Sequence, residues 1–176
     1  RNTRILNMYS SEVKIPKLRV AVLIGREGNI KKGIEKSMSI KLNISKEGDV
    51  IISGEDNLNV FNTIPIIKAI GRGFNPDIAM SLTKEENYLE IVEINSFIKG
   101  SAKKMMRLKS RLIGSGGMAR KNVEIMTNTN IVIYGKTVSI IGKAEDIALA
   151  RNAIEKLLFG APHGNVYRYI EMQKKR

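Results

Sequence analysis

The chain has 176 residues, is 43% apolar, and carries 30 Lys and Arg against 17 Asp and Glu, a formal net charge of +13. That length and apolar content specify a folded chain of one large or two small domains, and the positive excess selects a polyanionic partner, nucleic acid before an anionic membrane. No Cys and a single His, His163, exclude disulfides, thiolate or multi-histidine metal sites and His-paired nucleophiles.

No apolar run is long enough to span a bilayer, and the first eleven residues lack a signal-peptide core. The expectation is a cytoplasmic protein with no membrane role, whose start is trimmed or tagged. Residues 12–19 read as a short strand with Pro16 near its end or at an edge. An apolar helix over 19–24 stops at Gly25-Arg26-Glu27-Gly28. Asn29 caps a helix to about Met38, with Ile30 and Ile34 inward and Lys31, Lys32 and Lys36 outward. Residues 39–45 alternate polar and apolar, and 50–53 return across a turn, which predicts a hairpin. Residues 55–70 predict a helix that Pro65 should kink or delay. Gly71-Arg72-Gly73-Phe74-Asn75-Pro76 breaks it, and a polar turn at 85–87 marks a domain boundary.

The order then begins again. Residues 88–94 alternate as a strand. The stretch 99–121 carries Lys99, Lys103, Lys104, Arg107, Lys109, Arg111, Arg120 and Lys121 and no Asp or Glu. Within it Met105, Leu108, Leu112 and Ile113 fall at helical spacing, so the cations spread around a helix with one apolar side. That helix runs into Gly114-Ser115-Gly116-Gly117, and a second one follows to about Thr127. A hairpin over 130–134 and 137–141 and a long helix over 144–159 complete the half. Helix, glycine turn and helix in positive surroundings can hold a phosphate backbone: the turn exposes N–H groups, the second helix adds its positive end, and glycine permits close approach.

The halves are an internal repeat. Gly25 and Gly114 lie 89 residues apart, and Gly54 and Gly142, which end the hairpins, lie 88 apart. Ile-Gly-x-x-Gly, a basic pair (Lys31-Lys32 and Arg120-Lys121), a β-branched residue followed by Glu (Ile34-Glu35 and Val123-Glu124) and a hairpin recur in register. The fold class read from this is α+β, two small domains, each a three-stranded sheet backed by helices.

Ile24-Gly25-Arg26-Glu27-Gly28 and Ile113-Gly114-Ser115-Gly116-Gly117, each between two helices and followed by a hairpin and a helix, resemble the type I KH domain (β-α-α-β-β-α). The resemblance divides the chain into an N-terminal extension (1–11), a first KH domain (12–86) and a second with a C-terminal helical extension (87–176). It implies that each loop clamps about four single-stranded nucleotides. The RNA-binding residues carried over are Gly114, Ser115, Gly116, Gly117, Lys109, Arg111, Arg120 and Lys121, over a groove of Val123, Ile131 and Ile133. In the first copy they are Gly25, Arg26, Gly28, Lys31 and Lys32, with Ile34 and Ile40 beside Ile30 and Leu42. Glu27 faces phosphate unfavourably, so the second copy is expected to be the main clamp and the first a weaker one or a platform for protein contacts.

The tandem arrangement, with Gly71-Arg72-Gly73-Phe74 after the first half and Ala161-Pro162-His163-Gly164 after the second, resembles the archaeal small-subunit ribosomal RNA-processing KH proteins of the partner-of-Nob type. The resemblance implies binding near the 3′ end of small-subunit rRNA in the pre-ribosomal small subunit, without catalysis or cofactor. It also implies partnership with a Nob-type endonuclease and with an rRNA dimethyltransferase or an initiation factor. As local structure, the first of those two segments reads as a glycine helix stop and the second as a loop with an incidental His.

Three other readings compete. A protein-interaction module, or a ribosome-associated translation factor with non-specific RNA binding, would share the fold. A nucleotide-binding enzyme meets Gly114-x-Gly116-x-x-Ala119, but a basic helix precedes that motif where a strand is required, and Tyr134 sits where an acidic residue is needed. Membrane binding lacks an aromatic apolar edge on the basic helix. The carboxylate pairs Glu85-Glu86 and Glu145-Asp146 lie on a turn and a helix start, so no catalytic residue is assigned.

Overall fold

The computed structural model describes residues 8–175, and the chain divides into two units that meet between Thr83 and Lys84. The first seven residues of the expected extension lie outside the described residues. Each unit is described by itself.

In the first, β1 (Tyr9–Lys14) leads through a turn of 3-10 helix to α1 (Val20–Ile24), α2 (Asn29–Met38), β2 (Lys41–Ile44), β3 (Asp49–Gly54), α3 (Asn57–Gly71) and the short α4 (Pro76–Ala79). The sheet is antiparallel in the order β1-β3-β2, with Val13 and Ile44 opposite Val50 and Leu42 opposite Ile52. The period of two sends these side chains to one face, where they join Leu23, Ile34, Ile66 and Ile70 in the core. Each such residue contributes about 1.5–3 kcal/mol by leaving water.

Two expectations shift here. The first strand runs Tyr9–Lys14 and not 12–19, since Pro16 has no N–H for the ladder and residues 17–19 coil into the 3-10 turn. The third helix starts where the Asp56 carboxylate accepts from the Leu58 amide, and it continues through Pro65 because Val60, Thr63, Ile66 and Ile67 on its buried side outweigh one lost N–H. Gly71-Arg72-Gly73-Phe74 is the helix stop expected: Phe74 is fully buried, and the Arg19 guanidinium closes the stop by donating to the Ile70 carbonyl (2.8 Å) and the Phe74 carbonyl (2.9 Å).

The second unit repeats the order with β4 (Tyr88–Glu93), α5 (Ala102–Ile113), α6 (Met118–Thr127), β5 (Asn130–Tyr134), β6 (Thr137–Gly142) and α7 (Ala144–Leu158), then adds α8 (His163–Lys174). Its antiparallel sheet has the order β4-β6-β5, with Val92 and Ile133 opposite Val138. Leu108, Leu112, Val123, Ile140, Ile154 and Leu157 fill its core, and α8 closes one side with Val166 and Ile170. The β-α-α-β-β-α order and the two three-stranded sheets are those read from the sequence.

On α5 the apolar set is narrower than expected. Leu108 and Leu112 are buried and Met105 is half-buried, but Ile113, 100° further round the last turn of the helix, is 37% exposed. The segment expected to be a loop with an incidental His instead starts α8, and His163 is its first residue.

Candidate nucleic-acid interface

The two glycine loops have the same backbone. Gly25 and Gly114 have φ/ψ of 74/175 and 73/175, Glu27 and Gly116 have 53/22 and 58/21, and Gly28 and Gly117 have 76/15 and 77/11. In each loop the fourth residue's N–H donates to the first residue's carbonyl at 3.2 Å. A side chain on Gly114 would strike Ala119, and one on Gly25 would strike Asn29 and Ile30, so the first glycine lets the next helix pack against the turn. By contrast, nothing lies within 4 Å of the Cβ positions of Gly116 and Gly117, which leaves that side of the second loop open to a ligand.

The loops differ in chemistry. Glu27 is a non-glycine residue in the left-handed region, where a Cβ costs about 1–2 kcal/mol, while Gly116 holds the same angles without that cost. The first loop is also tied by its own cation, since the Lys32 ammonium donates to the Glu27 carbonyl at 3.2 Å. Lys121, which occupies the matching place in the second copy, is exposed and makes no such bond. Ser115 and Gly116 are exposed beside it, with Gly114 and Gly117 half-buried.

The expected groove is shallower than the sequence implied. Ile34, Ile40, Val123 and Ile131 are all at or below 3% exposure, as is Leu42, so they are core side chains beneath the groove. Val123 and Ile131, together with Ile133, line a cavity of about 10 Å³ under α6. The reason is register: the strand face that meets the helix is the face that fills the core. Ile30 and Ile133 are half-buried, and Ile113, which the helical spacing put on the apolar side, is exposed beside the loop together with Met118. Two adjacent apolar residues at a helix end were the signal for Ile113.

Two expected cations have partners within the fold. The Arg111 guanidinium donates to the Leu157 carbonyl (3.3 Å) and the Ala161 carbonyl (2.6 Å), which close α7. Arg120 pairs with Glu124 at 2.7 Å and reaches the Ile131 carbonyl at 3.3 Å, while Glu124 also accepts from the Ile131 N–H at 2.7 Å. That pair therefore satisfies both backbone groups of Ile131 on the free edge of β5. Glu35 does the same for the Leu42 N–H at 2.8 Å, which explains the repeated β-branched-Glu pair. Lys109 and Lys31 are half-buried, and Arg26 is exposed. Among the described residues no group of three His, Cys, Asp or Glu side chains is placed to hold a metal ion, and no helix is long and apolar enough to cross a membrane.

The family model for the second KH domain of PNO1, a eukaryotic type KH-domain (KH-domain type I), matches residues 88–175. The KH domain-containing protein MJ0443 of Methanocaldococcus jannaschii is 43% identical over 168 residues, 93% of this chain and 74% of that protein. The pre-rRNA-processing protein pno1 of Aspergillus fumigatus is 29% identical over 138 residues, and the chain spans 51% of its length. A chain of the crystal structure of the a/eIF2alpha-aDim2p-rRNA complex from Pyrococcus horikoshii OT3 superposes with a TM-score of 0.89 at 44% identity, over 96% of this chain and 95% of that one.

Proposed function

Because the chain belongs to the PNO1-type family of KH proteins, we propose that it is a non-catalytic factor that binds single-stranded RNA near the 3′ end of small-subunit rRNA and assists its maturation. The second loop is the main clamp. The observation that carries this reading is the pair of loops with one backbone and two chemistries: the second is open, uncharged and flanked by cations, whereas the first holds a carboxylate and is tied by Lys32. Loop and helix N–H groups take phosphates, and Ile113, Met118 and Ile133 offer apolar surface to splayed bases.

Relatives support the setting. The Aspergillus protein is named for pre-rRNA processing, and the Pyrococcus structure joins its KH protein to rRNA and to a/eIF2alpha. A translation factor is thus a partner with direct support from a structural neighbour, while the Nob-type endonuclease and the rRNA dimethyltransferase rest on the family resemblance. The domain limits proposed are 12–86 and 87–176, and the setting proposed is the cytoplasmic pre-ribosomal small subunit.

The test is binding of an oligonucleotide matching the 3′ end of small-subunit rRNA, beside a scrambled strand and a duplex, at two salt concentrations. Selective binding of the matched strand that survives the higher salt is the expected result. Equal binding to all three that salt erases would reduce the interface to a basic surface.

A further inference from the structure

The two loops share a backbone, but the helices that lead into them do not share a length. In the first unit that helix is α1, of 5 residues, and in the second it is α5, of 12. The additional two turns hold Lys103, Lys104 and Arg107, all exposed, and Lys99 lies just before them.

This charge arrangement opposes the helix that carries it. Lys103 and Lys104 sit in the first turn, at the positive end of the helix dipole, and Ser101 gives no side-chain cap. Lys103 and Arg107 are four apart and Lys104 and Arg107 three apart, which sets like charges side by side. No carboxylate lies on α5, and none of the three cations forms an ion pair among the described residues. In contrast, α7 begins with Glu145 and Asp146, the signs that a helix start favours. A local rule broken without compensation inside the fold points to a ligand.

Position identifies that ligand. Lys103, Arg107, Ser110 and Gly114 follow spacings of four, three and four, so they form one line down α5 into the glycine loop, a rise of about 16 Å. The recess at the upper end of the line, about 270 Å³, is lined among the described residues by Ser101, Lys103, Lys104 and Arg107. That lining is cationic, the chemistry that takes phosphates. We propose that the RNA strand held by the second loop continues along α5, where Arg107, Lys103 and Lys104 take its phosphates without reading its bases. The footprint of this unit is then longer than the four nucleotides of its loop. This rests on the reading of the second loop as an RNA clamp.

The full chain is titrated with a short rRNA 3′-end oligonucleotide that fills the loop, and with the same oligonucleotide extended at either end by uridines or by a duplex. The variant is Lys103→Gln, Lys104→Gln, Arg107→Gln, with Lys46→Gln, Lys68→Gln, Lys84→Gln as a control of equal charge. Single-stranded extension at one end should raise wild-type affinity about tenfold at low salt, and the α5 variant should lose that gain while keeping its affinity for the short strand. Its log–log salt slope for the extended strand should fall by about 2, from three contacts at about 0.7 each. Its thermal midpoint should hold or rise, because like-charge contacts are removed. A gain that survives in the α5 variant, one that the control loses equally, or one seen only with the duplex overturns the proposal, as does a requirement for these cations by an acidic protein and not by RNA. Failure of wild type to bind the short strand overturns the loop reading itself.

Discussion

Arg111 and His163 hold each other across the second unit. The Arg111 side chain caps α7 through the Leu157 and Ala161 carbonyls, while His163 Nε2 lies 2.9 Å from the carbonyl oxygen of Arg111. A carbonyl only accepts, so Nε2 carries the proton in this bond. The shared turn is the last of α5, immediately before Gly114, and α8 therefore supports the glycine loop from behind.

Arg111→Lys keeps the charge and loses the two-pronged geometry. It should lower stability by about 1–3 kcal/mol in urea unfolding and leave RNA affinity of the folded protein within about twofold. A tenfold loss of affinity with stability intact would show that the guanidinium holds phosphate after all.

Placing Asp at both Ser115 and Gly116 should weaken single-strand binding by about a hundredfold, since two carboxylates would face phosphates at close range. The fold should survive: both positions are exposed, and Asp tolerates the left-handed angles that Glu27 already adopts. The same change at Arg26 and Glu27 should cost less. If the first-loop variant loses more, as measured by fluorescence anisotropy, the ranking of the two copies is reversed.

Glu27→Gly removes both a left-handed Cβ and a repulsive carboxylate. Thermal or urea unfolding should show a gain of about 0.5–1 kcal/mol, below the full strain because the unfolded chain also becomes freer. RNA affinity of the first unit should rise. A destabilised variant would mean that Glu27 makes a compensating contact.

Glu124→Ala leaves the Ile131 N–H without its acceptor and the Arg120 guanidinium without its carboxylate, and should cost about 1–3 kcal/mol. Glu35→Ala loses only the bond to Leu42 among those two, so it should cost less. Equal losses in parallel urea melts would count against the edge-strand role assigned to Arg120.

Lys121→Ala should weaken every single-stranded sequence alike and reduce the salt slope by about 0.7. A change confined to one sequence would make Lys121 a base-reading residue.

Periodicity exposed the elements and their order because the helical and strand patterns are local, and the repeat exposed the loops because glycine spacing survives as text. Which cations are free was not legible. Arg111 and Lys103 look alike in sequence, yet one closes a helix 46 residues later and the other faces solvent. The same limit applies to the groove: Val123 and Ile133 are equally apolar, yet Val123 is fully buried while Ile133, near the end of the edge strand β5, stays half-buried. Glu35 and Glu124 were visible as a repeated pair, but their meaning lies in an edge strand seven residues on.

The matching dihedrals of the two loops show that the shape does not depend on the two central residues, since the glycines on either side of them are shared: Arg-Glu and Ser-Gly are bent to one template. Duplicated halves of this kind can diverge in what they touch without renegotiating how they fold. Exchanging the two central residues between the halves should therefore transplant ligand preference and leave the loop backbone as it is, and the molecule contains its own matched control for separating the chemistry of recognition from its architecture.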